Sequence, residues 1–318
     1  MLVNISQNPK YSTGSIQKMN FFGRELNVYK ANLHTHSTVS DGSYTPQEVI
    51  EQYAAKGYDV LAFTDHRKTN PVSSYDGKGM TLLSGIELHP HVMEPREICW
   101  HLLSLGVPED FPYGADSNFK TAQDAVDAVN AAGGMVFCAH PYWCGLTSLE
   151  VKNNLKNILG IEVFNSSCRY IGREFNMQCW DELLEAGCRY TALAVDDVHG
   201  QGDLFGGYTC ILAENKEPQT LLNAIRKGDF YASMGPEFKK ITFENGILEA
   251  EFSPCVKVNV LANASSGYCG SWDNYLHPEN PEEYTSLKKD FSQWKNCYIR
   301  IQIQDKNGKY AWSNPIWL

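Results

Sequence analysis

Two histidines separated by one residue are the first candidates for chemistry in this chain. His34 and His36 follow an apolar position, Leu33, and Asp41 comes next in a polar turn. Alternate side chains of an extended strand point to the same face, so both imidazoles would face one side. Two converging imidazoles and a nearby carboxylate are typical ligands of zinc, iron or manganese. An HxH pattern alone is weak, since two hydrogen-bonded histidines in a half-buried strand would give the same pattern.

Similar residues recur along the chain, and this repetition supports the metal hypothesis. Each comes at or near the end of a predicted strand, except for one histidine inside a strand. These further candidates are His66, Glu87, His101, His140, Asp197 and His199. Asp197 and His199 again have the spacing of side chains on one strand face. Nine ligands are too many for one ion, so the sequence predicts two or three ions bridged by the two oxygens of Glu87.

The segments between the candidates predict how they are brought together. Strands are predicted at residues 59–64, 80–86, 98–105, 135–139, 160–165 and 190–195. Helices are predicted at residues 46–56, 121–132, 149–159, 174–185 and 218–227. Strands that alternate with helices predict a parallel sheet, so the fold class is α/β. In a closed parallel barrel the functional residues lie at the carboxyl ends of the strands, where these candidates occur.

The last quarter of the chain has a different pattern. Short alternating runs replace the helices, and Asn245-Gly246 and Asn307-Gly308 are typical hairpin turns. Residues 265–295 are rich in proline, glutamate and aromatic residues and are predicted as a long loop. We therefore predict a small antiparallel β module without a ligand cluster. The two predicted units are a metal-binding barrel over residues 1–236 and the β module over residues 237–318.

Composition limits the classes of function. The 318 residues carry a formal net charge of −10, which argues against a broad nucleic-acid-binding surface. Ten scattered cysteines without a CxxC pair favour reduced core residues in the cytoplasm over a disulfide framework. Residues 1–20 lack an apolar signal core, and no apolar run is long enough to span a membrane. The composition leaves the oligomeric state open.

The order of the motifs resembles the PHP superfamily, named after polymerases and histidinol phosphatases. The motifs that carry the resemblance are His34-Thr35-His36, Thr64-Asp65-His66, Gly85-Ile86-Glu87, His101, Ala139-His140-Pro141 and Asp197-Val198-His199. Residues 227–236 and the β tail resemble the branch of small PHP metallohydrolases that also contains an aryl-carbamate ester hydrolase. The resemblance covers roughly residues 29–236 and implies a distorted (β/α)7 barrel.

The resemblance also implies which residues share an ion. A first ion would bind His34, His36, Glu87 and Asp197, a second Glu87, His101 and His140, and a third His66 and His199, with Asp41 where some members place a histidine. That carboxylate would shift the preference of the third ion toward oxygen-loving metals. The expected cofactors are two or three divalent ions of zinc, manganese or iron.

Such a cluster predicts hydrolysis. Divalent ions lower the pKa of a bound water, which makes hydroxide available near neutral pH, and they neutralise phosphate oxygens in the transition state. We therefore expect a metal-dependent phosphoesterase acting on a small phosphomonoester or nucleotide. Three alternatives are a 5′-3′ exonuclease that trims short oligonucleotides, a carboxyl or carbamate ester hydrolase, and a barrel that binds a ligand without turnover.

Other residues near the strand ends are candidates for catalysis or substrate contact. The substrate-binding candidates are Arg67, Arg169, Arg173 and Asn165, with solvated surface charge as the alternative for each arginine. The catalytic candidates are His199 and Asp65, which could orient an imidazole or relay a proton, with a strand-end aspartate that caps a turn as the alternative for Asp65. His89 and His91 follow Glu87 too closely to join the same ion easily and are predicted as loop residues. Four aromatic residues could stack on a base, with buried or half-buried aromatics as the alternative: Tyr142, Trp143, Tyr170 and Trp180.

Overall fold

The computed structural model describes residues 17–90, 99–112 and 119–318. The strands of its first part are β1 (Lys18–Phe21), β2 (Arg24–Asn32), β3 (Val60–Phe63), β4 (Thr81–Leu88), β5 (Leu102–Leu105), β6 (Met135–Cys138), β7 (Gly160–Asn165), β8 (Thr191–Val195), β9 (Tyr208–Ala213) and β10 (Phe230–Ser233). The helices of this part are α1 (Pro46–Ala55), α2 (Ala122–Ala131), α3 (Pro141–Cys144), α4 (Ser148–Asn154), α5 (Met177–Glu185) and α6 (Pro218–Lys227). Short 3₁₀ helices lie at Val72–Ser74 and Ser167–Ile171.

Seven of these strands, β2 to β8, close into a barrel. β2, β3 and β4 pair in parallel, and so do β6, β7 and β8. The ring closes just beyond the ends of β2 and β8, where Thr35 and Val198 form a parallel bridge. There the main-chain N–H of Asp197 donates to the carbonyl of His34 at 3.0 Å. The same hydrogen bonds that close the barrel therefore align two motifs of candidate ligands, and the predicted (β/α)7 fold is confirmed.

The prediction of a wholly parallel sheet is wrong at β5, which runs antiparallel to both β4 and β6. Parallel neighbours need a crossover connection, whereas antiparallel neighbours do not. Reversal of β5 places its beginning beside the carboxyl ends of β4 and β6. His101, which directly precedes Leu102, is thereby brought to the functional end of the barrel. The predicted start of this strand at Ile98 lies outside the described residues.

Local sequence explains where the helices begin and end. At α1, the side chain of Thr45 accepts from the main-chain N–H of Glu48, whose carboxylate accepts from Thr45 in return, which is a capping box. The predicted helix 149–159 ends early because Leu155 is extended. The predicted helix 174–185 starts late, because Phe175 forms a bridge with Phe164 of β7 and thus continues the extended backbone.

Gly160, the first residue of β7, lies opposite Thr191 of β8. A Cβ atom at this position would lie 1.8 Å from the carbonyl oxygen of Thr191, which no real contact allows. Glycine is therefore required for the observed spacing of these two strands.

The last part of the chain is an antiparallel β module that shares its sheet with the barrel region. Its elements are β11 (Phe238–Glu244), β12 (Ile247–Cys255), β13 (Lys257–Ala262), β14 (Gly267–Cys269), α7 (Trp272–Leu276), β15 (Tyr284–Asp290), β16 (Tyr298–Gln304), β17 (Tyr310–Ser313) and β18 (Ile316–Trp317). The predicted hairpin turns are present, since β11 pairs with β12 and β16 with β17. The prediction of a long loop over residues 265–295 is wrong, because β14, α7 and β15 lie there and β15 extends the sheet along β12.

Main-chain pairing and one ion pair connect the module to the barrel. β11 pairs in parallel with β1, and β17 pairs antiparallel with β10. The guanidinium of Arg300 in β16, a fully buried side chain, donates to both carboxylate oxygens of Asp181 in α5 at 2.7 and 2.6 Å. The division of the chain after residue 236 stays a prediction. Within the described ranges, no helix is both long and apolar enough to cross a membrane.

Candidate metal centre

The first ligand group consists of His34, His36, Glu87 and Asp197, all buried at the end of the barrel. The two Nε2 atoms of His34 and His36 lie 3.1 Å apart. Oδ1 of Asp197 lies 3.1 Å from Nε2 of His34 and 3.0 Å from Nε2 of His36. Oε2 of Glu87 lies 3.4 and 3.3 Å from the same two nitrogens. Four candidate ligand atoms from three different segments therefore surround one point.

These separations fit a tetrahedral metal site. Ligand atoms about 2.0–2.2 Å from one ion lie roughly 3.3–3.6 Å from each other. Within the part of the chain that the structure describes, Oε2 of Glu87 and Oδ1 of Asp197 are buried and accept no hydrogen bond of acceptable geometry, although Nδ1 of His66 lies 2.7 Å from Oε2. A buried carboxylate oxygen without a donor is costly unless a cation satisfies it. The donor set therefore fits a divalent ion.

The buried carboxylate of Glu162 in β7 orients the first ligand group through hydrogen bonds. Its Oε1 lies 2.6 Å from Nδ1 of His34, so the proton on Nδ1 leaves Nε2 with a lone pair for a metal. Its Oε2 accepts from the main-chain N–H of His140 at 2.8 Å and from Nδ2 of Asn165 at 2.9 Å. Nδ2 of Asn165 also donates to Oδ2 of Asp197 at 3.0 Å. One buried carboxylate thus positions three candidate ligands.

The second ligand group shares the other oxygen of Glu87. Nδ1 of His101 lies 2.8 Å from Oε1 of Glu87, and Nε2 of His140 lies 3.3 Å from the same oxygen. Nε2 of His140 also lies 3.6 Å from Oδ2 of Asp197. The two oxygens of Glu87 therefore face two different ligand groups, which is the arrangement of a bridging carboxylate.

The third ligand group, Asp41, His66 and His199, lies nearer the surface. Nε2 of His66 is 3.4 Å and Nε2 of His199 is 3.5 Å from the carboxylate of Asp41. Nδ1 of His199 lies 2.9 Å from the carbonyl oxygen of Asp197, which orients the ring with Nε2 toward Asp41. The turn is tight, since a Cβ on Gly42 would lie 2.7 Å from the main-chain carbon of His36. This close approach folds Asp41 back toward the histidines.

Within the three groups, the negative carboxylates and the imidazoles stabilise each other's charged forms. Burial alone would raise the pKa of Glu87 and of Asp197, but the surrounding imidazoles, His34 foremost for Asp197, hold both values well below the usual range. Burial would lower the pKa of His34, but Asp197 and Glu87 raise it well above its ordinary value. A hydrogen bond from His66 lowers the pKa of Asp41 strongly. The carboxylates are therefore ionised and attract protons or cations onto the imidazoles.

Two of the ligand positions have a left-handed backbone. His140 has a φ of 24° and Asp197 a φ of 53°, which non-glycine residues adopt rarely. Each is held by a specific hydrogen bond, from the N–H of His140 to Glu162 and from the N–H of Asp197 to the carbonyl of His34. The strain directs both side chains into the centre.

Asp65, a predicted catalytic residue, lies outside the cavity. Its carboxylate accepts from Ser37 and Ser40, through both main-chain N–H and hydroxyl groups, and from Nδ2 of Asn70. Oγ of Ser40 lies in turn 3.4 Å from Nδ1 of His36. Asp65 thus orders the turn that carries Asp41 and reaches an imidazole only through a serine.

The predicted substrate-binding residues are engaged with the protein. Arg169 donates to the carbonyls of Ser166 and Gly202, and Arg173 lies 3.4 Å from the carbonyls of Tyr142 and Trp143. The polar atoms of Asn165 bind Glu162, Asp197 and the N–H of Cys168. Nη2 of Arg67 lies 3.4 Å from His89. Their contact with substrate stays a prediction.

Sequence reasoning missed two residues of the centre. Glu162 was a charged residue within an otherwise apolar strand, a signal that could have been used. His89 does follow β4 as a loop residue, but its ring stacks on His101 with centroids 3.9 Å apart, and its Nε2 lies 3.7 Å from Glu87. The spacing from Glu87 to His89 equals that from His34 to His36, which could have indicated it. His91 lies outside the described residues.

A cavity of about 270 Å³ opens over the ligand groups. It is lined by Asp41, His66, Glu87, His101, His140, Trp143, Ser167, Cys168, Tyr170, Asp197 and His199. Imidazoles and carboxylates form its floor, so a small substrate placed here would contact bound ions directly.

A barrel whose strand ends carry clustered imidazoles and carboxylates defines a class of metal-binding α/β barrels. The family model described as "PHP domain" matches residues 32–298. The chain therefore belongs to the PHP domain family, and the resemblance drawn from its motifs is confirmed.

Individual relatives agree with this membership. The chain is 40% identical over 86 residues to a phosphoribosyl 1,2-cyclic phosphate 1,2-diphosphodiesterase of Eggerthella lenta, which covers 26% of this chain and 32% of that protein. It is 33% identical over 85 residues to a 3′,5′-nucleoside bisphosphate phosphatase of Chromobacterium violaceum, covering 24% and 27% of the two chains. The matches thus span between a quarter and a third of the length of these curated relatives.

One solved structure matches nearly the whole chain. It is a two-domain protein of Bacteroides vulgatus that contains a predicted PHP-like metal-dependent phosphoesterase. The TM-score is 0.51 at 14% identity, with 95% of this chain and 98% of that chain covered. This likeness concerns the fold, and it includes the β module.

Proposed function

We propose that this chain is a metal-dependent phosphoesterase that hydrolyses a small phosphomonoester or nucleotide. The observation that carries the proposal is the position of Glu87, whose two oxygens face two groups of ligand atoms at 2.8–3.4 Å. Bound divalent ions would supply a water of lowered pKa and positive charge for the phosphoryl group. The names of the relatives, a cyclic phosphate diesterase and a bisphosphate phosphatase, support the same reaction class.

We propose two or three bound ions, held by three groups of residues. His34, His36, Glu87 and Asp197 would hold the first ion, Glu87, His101 and His140 the second, and Asp41, His66 and His199 the third. Nitrogen and oxygen donors in these proportions suit zinc, manganese or iron. His199 is partly exposed at the rim, and where only two ions bind, its Nε2 would be free to exchange a proton with the leaving group instead of holding the third ion. Asp65 would act by fixing the turn that carries Asp41.

Size and charge favour a small substrate over an oligonucleotide. The cavity has a volume of about 270 Å³, and the chain has a net charge of −10. Among the residues that the structure describes, no lysine or arginine lines the cavity. A polyanionic strand would need such a cationic track. We also place the protein in a reducing compartment, the cytoplasm, because all ten cysteines are free thiols.

The test is metal removal combined with a substrate panel. Protein stripped with a chelator should lose hydrolysis of p-nitrophenyl phosphate and regain it with manganese, zinc or iron. Full activity in a metal-free sample, verified by elemental analysis, would exclude the proposal. Faster hydrolysis of p-nitrophenyl acetate or of a 5′-labelled oligonucleotide would instead favour an ester hydrolase or a nuclease. His36→Ala should abolish turnover, whereas His277→Ala, at an exposed histidine of the β module, should not.

A further inference from the structure

One side of the cavity over the ligand groups is lined by residues that belong to none of the three groups. We call this side the aromatic wall. This wall is formed by Trp143, Ser167, Cys168 and Tyr170. The ring of Trp143 lies 5.3 Å from that of His101 and 5.1 Å from that of His140, measured between centroids. A phosphate held at the ligand groups would therefore have the rest of its molecule against this wall.

The two aromatic residues of the wall are fixed to each other. Nε1–H of Trp143 donates to the hydroxyl of Tyr170 at 3.2 Å. The indole N–H is thereby satisfied without substrate. Trp143 is half-buried, whereas Tyr170 is 73% exposed. An aromatic ring left this exposed beside a cavity is available for contact with a bound molecule.

Two sequence neighbours of these residues are also exposed. Tyr142 and Ile171, adjacent in sequence to Trp143 and Tyr170, are 50% and 47% exposed. The guanidinium of Arg173 lies 5.2 Å from the centroid of the Tyr142 ring and close to main-chain carbonyls, and it is not part of the cavity lining. In the described lining, the imidazoles of the ligand groups and any ions bound there are the sources of positive charge. The cavity therefore suits a substrate with one phosphate at the ligand groups and an uncharged group against the aromatic residues.

We propose that Trp143 and Tyr170 form a leaving-group subsite for a planar aromatic ring. The proposal rests on the phosphoesterase function and specifies its substrates as monoesters that join one phosphate to an aryl or nucleoside hydroxyl. In the hydrolysis, the oxygen of water bonds to phosphorus, the ester P–O bond breaks, and a proton of water ends on the released hydroxyl. The ring stacks on the aromatic wall while the phosphate lies over the ligand groups.

Binding of two phosphonates that cannot be hydrolysed tests the subsite directly. Phenylphosphonate and ethylphosphonate share the anionic group and differ in the ring, so the ratio of their Kd values, from titration calorimetry of the metal-loaded protein, measures ring recognition. We expect phenylphosphonate to bind about five- to tenfold tighter, the usual range for aromatic stacking. Tyr170→Ala and Trp143→Leu should each reduce this ratio, and the double variant should bring it near one.

Matched controls separate the subsite from general damage. Tyr275→Ala removes an equally exposed tyrosine from α7, and it should leave the ratio unchanged. Tyr170→Ala alters an exposed ring, so folding and metal content should be retained. Comparing kcat/KM for phenyl phosphate and adenosine 5′-monophosphate then separates an aryl from a nucleoside substrate.

Two outcomes would overturn the subsite. One is equal affinity for both phosphonates in the unaltered protein, and the other is a ratio that survives in the double variant. Either would leave the phosphoesterase function standing. If metal-loaded protein neither binds a phosphonate nor hydrolyses any phosphate ester, the proposed function itself fails, and the subsite with it.

Discussion

Oε1 of Glu162 lies 2.6 Å from Nδ1 of His34, and neither side chain is exposed to solvent. The contact fixes the tautomer of His34 so that Nε2 faces the other ligands. The second oxygen of Glu162 accepts from the strained backbone of His140, a ligand of the second group. A residue that touches no ion position therefore supports two of the three ligand groups.

Replacing Glu162 should weaken metal binding without removing a ligand. In Glu162→Gln, one carboxylate oxygen becomes an NH2 group, which must face either Nδ1–H of His34 or the N–H donors of His140 and Asn165. The NH2 group cannot accept a hydrogen bond, so the donors on that side lose their acceptor. We expect the affinity for the first ion to fall about 10- to 100-fold. Competition with a chromophoric chelator measures this affinity. Glu51→Gln, at an exposed position in α1, is the matched control, and equal affinities in the two variants would refute the positioning role.

The third ligand group should be separable from the others. His199 is partly exposed and contributes one of the three side chains around the third position, so His199→Ala should keep the fold. We expect metal content to fall by one ion per chain, with the ion at His34 and His36 retained. Elemental analysis after gel filtration gives the count. A variant that holds as many ions as the unaltered protein would exclude a third site at these residues.

Metal binding should release protons. Burial opposes protonation of His66, but the carboxylates of Asp41 and Glu87, at 3.4 and 2.7 Å from its ring nitrogens, outweigh this effect and raise the pKa of His66 to about 10. In the metal-free protein this imidazole therefore carries an extra proton at neutral pH, and an ion that binds to its nitrogen must displace that proton. The apparent affinity of the third position should rise about tenfold per pH unit below pH 10 for each proton displaced.

Calorimetry in two buffers with different ionisation enthalpies measures that proton release. In the metal-free protein, the raised pKa of His66 also predicts the direction in which stability changes with pH. A base whose pKa is raised on folding stabilises the folded state below its ordinary value of about 6.5, and this contribution is lost as the pH rises toward 10. Binding without proton release at pH 7 would contradict the assignment of His66.

The ion pair between Arg300 and Asp181 should join the β module to the barrel energetically. Asp181→Ala leaves the guanidinium of Arg300 buried without its carboxylate, and we expect a loss of about 3 kcal/mol of unfolding free energy. Urea denaturation measures it. The double variant with Arg300→Met should recover much of the loss, because no buried charge remains. If Asp181→Ala unfolds with an unchanged midpoint, the pair contributes nothing to the connection.

Much of the centre was predictable because strand geometry is local. The i, i+2 spacing of His34 and His36 indicated without knowledge of the fold that both imidazoles converge, and their Nε2 atoms lie 3.1 Å apart. The same spacing of Asp197 and His199 was a weaker guide, because Asp197 lies beyond β8 with a left-handed backbone and the two side chains belong to different ligand groups. The capping box at Thr45 and Glu48 likewise located the start of α1. Position at a strand end was then enough to bring distant side chains to one end of a barrel.

The remainder depended on contacts that no local pattern encodes. The direction of β5 follows from its pairing with β4 and β6, so His101 was predicted inside a strand although it precedes one. The arginines in the loops face carbonyl groups whose positions are fixed only by the folded loops, as with Arg169 and Gly202. Likewise, α7 and β15 could not be predicted, because β15 is stabilised by pairing with β12 rather than by its own composition.

Helix α3 begins at Pro141, immediately after His140, and is only four residues long. The side chain that would select the leaving group is thus attached to the catalytic scaffold through a single short turn, while the scaffold itself is built from strands. Mutational libraries confined to this turn and to residues 167–171 would sample new specificities with the hydrolytic apparatus intact. Natural divergence among such barrels could follow the same route, with small exchangeable segments changing the molecule recognised and the ancestral reaction preserved.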